Sequence, residues 1–261
     1  VESEKAPFWI AANALLAARA RGNENPNGYT EDDSNRVQLT PRHWAYLRVS
    51  EGCNQNCAFC TIPSIRGKMR SKPVEKIVAE AKKLLASGVV ELNLIGQDTT
   101  SYGYDIGYEE GLVGLLTALN DTVAQFRGWI RLMYAYPSNF TDEMVEALAS
   151  LPHVVKYIDI PLQHINDEIL TSMKRGTSHA KTDKLLKEFR AKVPNMAIRT
   201  TLIVGYPGET EEKFQELKQW VQDTKFDRLG VFTYSHEENT SAFDLKDDIP
   251  EQTKKERVEE I

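Results

Sequence analysis

Residues 73–96 read PVEKIVAEAKKLLASGVVELNLIG, one helical period followed by one strand. Val74, Ile77, Val78, Ala81, Leu84 and Leu85 recur at i, i+3, i+4, i+7, i+10 and i+11, which lays a single apolar stripe along a helix. Pro73 suits the first turn and Gly88 the C-terminal stop. Residues 89–96 then form an apolar run of strand length. Outward in both directions the same alternation repeats. Strand-like runs cover 44–50, 129–135, 154–160, 197–205 and 229–234, and helix-like segments cover 141–150, 179–192 and 210–224. Thr141 and Thr210 are expected N-caps ahead of acidic first turns.

Six strands alternating with helices imply a parallel sheet with right-handed crossovers. Residues 42–235 supply six units at about 32 residues each, whereas eight would need about 250. The expected fold is therefore α/β, an incomplete six-stranded (βα)6 TIM-like barrel, with a doubly wound open sheet as the alternative. Both place chemistry at the carboxyl ends of the strands.

Lys and Arg number 32 against 38 Asp and Glu, a net charge of −6, which argues against a whole-chain clamp on nucleic acid. The charge is uneven. Residues 42–72 hold six bases and only Glu51 as an acid, whereas residues 237–261 are predominantly acidic. No run reaches 18 apolar residues, so no membrane span is expected and a cytoplasmic location is. Residues 8–20 read as an amphipathic helix, because Glu2 and Glu4 stand where a signal peptide has bases. Residues 22–35 read as a linker or mobile loop, with a domain starting near Val37. A first residue other than methionine, and an end inside a helix-like run at 251–261, are expected of a piece of a longer protein.

All three cysteines, Cys53, Cys57 and Cys60, fall in one eight-residue window at the exit of the first strand. An odd number of thiols this close in sequence excludes a disulfide framework. A helix stripe would share their spacing, but Gly52, Asn54, Asn56 and Pro63 are poor helix formers. Ligation of one metal centre explains the window better. Structural zinc would need a fourth donor such as His43 or His164. An iron-sulfur cluster held by three cysteines leaves one iron open to an outside ligand. The open cluster is the more productive reading, and zinc stays as the alternative.

The other strand exits also carry polar groups. Gly96 permits close backbone approach, and Gln97 and Asp98 offer hydrogen-bonding groups where an ammonium can sit. The third strand leaves through 134–138 (YAYPS), and the fourth through 159–164 (DIPLQH), which in a barrel aims Gln163 and His164 at the cavity mouth, with a satisfied, non-catalytic histidine as the alternative for His164. Arg199 stands inside a buried-looking run and should meet a carboxylate. Gly205-x-x-Gly208 lacks the remaining glycines and the lysine of a phosphate loop.

Cys-x3-Cys-x2-Cys with Phe59 before the last cysteine resembles the signature of radical S-adenosylmethionine (SAM) enzymes. The resemblance implies a barrel of the radical SAM type and a 4Fe-4S cluster whose open iron chelates SAM and yields a 5′-deoxyadenosyl radical. It also implies Phe59 against the adenine, Gln97 and Asp98 in place of a Gly-rich motif, and Arg199, Gly96, Gly205 and Gln163 around SAM. At the end of the sixth strand, Phe232 would contribute backbone contacts to adenine. The runs AYLRVSEGC, QDTTSYG, DIPLQH and TLIVGYPGET resemble the methylthiotransferases of that superfamily, and within them the branch that modifies ribosomal protein S12. The sister branch acts on isopentenyladenosine of tRNA, and it carries an asparagine and a histidine where this chain has Asp98 and Tyr136.

By this resemblance the intact enzyme methylthiolates the β-carbon of an aspartate. It uses two SAM molecules, a reducing electron donor and a second 4Fe-4S cluster in an N-terminal domain. Residues 1–36 would then be a linker and the remnant of that domain, 37–240 the radical SAM core, and 241–261 the lead into a TRAM domain. A zinc-binding module and a simple iron-sulfur electron carrier are the alternatives from other classes.

Overall fold

Strand β1 (Trp44–Arg48) opens the architecture seen in the computed structural model, which describes Asp33 and residues 38–261. The helix expected over 8–20 lies outside the described residues, as does almost all of the linker expected over 22–35. The chain divides into two units, 1–39 and 40–261. Of the first only Asp33, Gln38 and Leu39 are described. Every element named below belongs to the second.

β1 pairs in parallel with β4 (Glu91–Ile95), and β4 with β5 (Trp129–Leu132). A second parallel sheet joins β6 (Tyr157–Asp159), β7 (Ala197–Val204) and β8 (Arg228–Thr233). The two continue one another through a parallel bridge between Ile130 and Val154 and a 2.9 Å bond from Ala135 N to the Asp159 carbonyl. Strand order therefore follows chain order without the reversal of a doubly wound sheet, which excludes that alternative. Among the described residues no ladder joins β8 back to β1, so the winding is that of an incomplete barrel.

The run expected at 44–50 divides at Val49. Two residues, β2 (Ser50–Glu51), turn away to pair antiparallel with β3 (Arg70–Ser71). Between these short strands lie the cysteines and α1 (Ile62–Arg66). Helices α2 (Val74–Ala86), α3 (Gly111–Val123), α4 (Asp142–Ser150) and α6 (His179–Lys192) pack in sequence on the outer side. α5 (Asp167–Ser172) precedes α6, α7 (Glu211–Thr224) links β7 to β8, and α8 (Glu251–Glu260) lies against both of those strands. Thr141 and Thr210 cap α4 and α7 by accepting from Met144 N and Lys213 N.

α3 has no counterpart in the sequence reading. Eight of its thirteen residues are buried, including Asn120 and Thr122, so it lacks the polar face that produces a helical period.

The strands sort their side chains by face. On β7 Ile198, Thr200, Leu202 and Val204 are buried, while Arg199, Thr201 and Ile203 are only partly so. The concave side carries a polar relay. Glu91 accepts from Arg131 Nε and Trp129 Nε1 at 2.7 Å each, the Arg131 guanidinium lies 4.7 Å from the Tyr157 ring centre, and Arg199 pairs with Asp159. The buried-looking run around Arg199 is thus a half-open inner face, and its side chain is 40% exposed. The basic stretch is also less free than its composition implies. Lys72 is buried on Glu80 at 3.0 Å, and Arg48 and Arg66 both bond Glu51. Among the described residues no helix is long and apolar enough to cross a membrane.

Candidate functional site

The cysteine loop is built by closure. Gly52 takes φ +81°, and a Cβ there would lie 2.2 Å from the Lys68 carbonyl oxygen, so only glycine lets the two arms of the loop meet. Cys53 N donates to the Gly67 carbonyl at 3.1 Å and Met69 N to Asn54 Oδ1 at 3.1 Å. At the far end Ala58 N donates to the Met173 carbonyl, and Ala242 N donates to the Ala58 carbonyl. Strands, α5 and the C-terminal segment therefore all grip this loop.

Cys53, Cys57 and Cys60 are free, half-buried thiols facing one cavity of about 240 Å³ at the carboxyl ends of the strands. Burial pushes Cys53 up to about 11 and Cys60 also upward, so ligation would require the loss of their protons. Arg175, which the sequence reading missed, places its guanidinium against Cys57: Nη1 donates to Sγ at 3.2 Å. Tyr136 Oη lies 3.6 Å from the same sulfur. A single arginine between Lys174 and Gly176 in a loop has no periodicity or motif to announce it.

Phe59, Gln97 and Gln163 complete the cavity wall. Gln97 Oε1 accepts from Gly52 N at 2.6 Å, and Gln163, in a positive-φ conformation, leaves Oε1 buried without a partner. Asp98 stands behind the wall. Its carboxylate accepts from Thr100 Oγ1, Ser101 N, Ser101 Oγ and Gln55 Nε2, a saturated set that braces the loop. Gly96 packs beneath Ser50. Arg199, Gly205 and Phe232 do not line this cavity; Phe232 is 59% exposed.

His164 turns away from the mouth where the sequence reading placed it. It is fully buried, Nδ1 accepts from Asn166 N at 3.0 Å, and Nε2 lies 3.7 Å from Glu209 Oε1. That acceptance leaves the proton of a neutral ring on Nε2, facing Glu209. Glu209 is the second residue missed. Gly205 N donates to its Oε2, Arg257 Nη1 donates to its carbonyl at 3.0 Å, and the Lys254 chain packs on Gly205 so closely that a Cβ would lie 2.3 Å from its Cγ. Helix α8 thereby clamps the exit of β7.

The donor set fits a polynuclear centre. Three thiols surround one cavity beside a cationic guanidinium. Among the described residues no three His, Cys, Asp or Glu side chains gather closely enough for a single metal ion. An iron-sulfur cluster takes each thiolate to a different iron, which matches spread donors better than tetrahedral zinc does.

The family described as the Radical SAM superfamily matches residues 47–221. Over 228 residues the chain is 55% identical to the ribosomal protein uS12 methylthiotransferase RimO of Christiangramia forsetii, covering 87% of this chain and 50% of that protein. The protein of the same name from Flavobacterium johnsoniae is 54% identical over 226 residues, covering 87% and 51%. The chain thus spans about half the length of the curated relatives it matches. Among solved structures, the radical SAM methyltransferase TsrM from Kitasatospora setae, with cobalamin and a 4Fe-4S cluster bound, superposes with a TM-score of 0.62 at 17% identity. That match covers 78% of this chain and 42% of TsrM, a likeness of fold.

Proposed function

The chain belongs to the Radical SAM superfamily, and we propose that it is the catalytic core of a methylthiotransferase acting on the β-carbon of an aspartate in ribosomal protein S12. The observation that carries this reading is the set of three free thiols around one cavity at the carboxyl ends of an incomplete barrel. The names of its half-identical relatives support the choice of substrate.

In this reading Cys53, Cys57 and Cys60 hold a 4Fe-4S cluster, with SAM beside it. When bound, these cofactors supply a 5′-deoxyadenosyl radical for hydrogen abstraction. The chain's own groups position and shield. Phe59 offers its ring to the adenine, Gln97 and Gln163 offer amides to the polar end of SAM, and the unpartnered Gln163 Oε1 accepts a donor from it. Gly96 and Asp98 hold the wall behind them. Gly205, Phe232 and Arg199 lie outside this cavity and are not part of the SAM seat in this proposal; Arg199 pairs with Asp159 on the concave side.

Residues 37–240 are the core in this proposal, and 241–261 lead toward a TRAM domain. A second 4Fe-4S cluster belongs to an N-terminal domain of the intact protein, for which 1–36 are a remnant and linker. A reducing electron donor and a cytoplasmic setting complete the picture. The test is an anaerobic reaction of the intact protein with ribosomal protein S12 and tRNA together, read by mass spectrometry. A methylthio increment on the aspartate alone is expected; an increment on tRNA adenosine alone would assign the sister branch.

A further inference from the structure

We infer that Arg175 is a positioning residue for the proposed cluster and sets its reduction potential through Cys57. The inference rests on the cluster reading above and adds a role for a residue outside the cysteine motif.

Arg175 is 4% exposed, and its guanidinium is fixed from three sides. Nη1 donates to Cys57 Sγ at 3.2 Å, Nη2 donates to the Pro161 carbonyl at 2.5 Å, and the group lies 4.3 Å from the Tyr136 ring centre. Tyr136 Oη donates back to the Arg175 carbonyl at 2.9 Å, so backbone and side chain are both held. Nε is buried without a partner.

Among the described residues no carboxylate forms an ion pair with Arg175, although a buried guanidinium is costly without a negative partner. What stands opposite it is a thiol. Loading an iron-sulfur cluster on three thiolates would bring the missing negative charge to that spot. Reduction by one electron then adds a further negative charge. A cation within hydrogen-bonding distance of a ligating sulfur stabilises the reduced form more than the oxidised one and raises the potential. The geometry also selects arginine over lysine, because one planar fork reaches both Sγ and the Pro161 carbonyl while stacking on Tyr136.

The test uses the anaerobically reconstituted chain without SAM, its iron content, and its midpoint potential followed by electron paramagnetic resonance during reductive titration. Arg175→Gln should shift the midpoint to more negative values at unchanged iron content, and Arg175→Lys, which keeps the charge, should lie nearer the parent. If Arg175→Gln folds by circular dichroism but loads no iron while Arg175→Lys does, the charge requirement is supported. An Arg175→Gln cluster with the parent's midpoint overturns the inference. So do two folded variants that both fail to load, since Arg175 would then be a structural clamp. Failure of the parent chain itself to take up iron would instead remove the cluster reading.

Discussion

Gln55 Nε2 donates to Asp98 Oδ2 over 2.7 Å, and so ties the cysteine loop to the turn that leaves β4. Asp98 is 1% exposed and also accepts from Thr100 and Ser101. Its carboxylate is the hub through which the strand edge fixes the shape of the thiol loop.

Asp98→Ala would strand those buried donors, at about 1–3 kcal/mol for an unsatisfied group. A lower denaturation midpoint and reduced iron uptake are expected, with Asp98→Asn in between because it keeps one acceptor oxygen. Parental stability together with full iron uptake in Asp98→Ala would contradict the bracing role.

Arg257 and Glu209 test the clamp of α8. Their side chains are 7% and 0% exposed, and Arg257 Nη1 lies 3.4 Å from Glu209 Oε2. Arg257→Ala leaves a buried carboxylate uncompensated and is expected to cost about 3–5 kcal/mol. Arg66→Ala, whose side chain is 54% exposed in its bond to Glu51, should cost no more than about 1 kcal/mol. Equal losses for the two in urea denaturation would show that the clamp contributes nothing special.

The concave relay sets a pH dependence. Burial alone raises the Glu91 carboxyl, but hydrogen bonds from Arg131 and Trp129 outweigh it and hold the group below its usual 4.5. A carboxyl depressed in the folded state contributes stability above its unfolded value, and that contribution is lost as pH falls below about 4.5. Thermal melts of the metal-free chain between pH 6 and pH 3 should fall less steeply in Glu91→Gln than in the parent. Parallel curves would remove Glu91 from the acid response.

Much of this architecture was legible because periodicity reports burial. The stripe from Val74 to Leu85 became α2, and alternation of helix and strand gave the parallel, sequential winding. α3 was missed because a helix buried on most of its surface has no amphipathic signal. The cysteine window was legible because ligand chemistry constrains spacing locally. Arg175, which meets Cys57 from 118 residues away, and Glu209, reached by Arg257 from 48 residues away, are tertiary pairings with no local trace. Arg199 was expected to be buried and to meet a carboxylate, with that of SAM as a candidate; the carboxylate it meets within the chain is Asp159, and its side chain is 40% exposed. A strand of an incomplete barrel has one enclosed face and one open one, and sequence alone does not show how wide the opening is.

The most direct measurement is the formation of 5′-deoxyadenosine from SAM by the anaerobically reconstituted, reduced chain, followed by chromatography beside its iron and sulfide content. One four-iron cluster per chain and slow release of 5′-deoxyadenosine are expected, with both lost in Cys57→Ala. A fully loaded chain that leaves SAM intact, or a Cys57→Ala chain that keeps its cluster, would contradict the account.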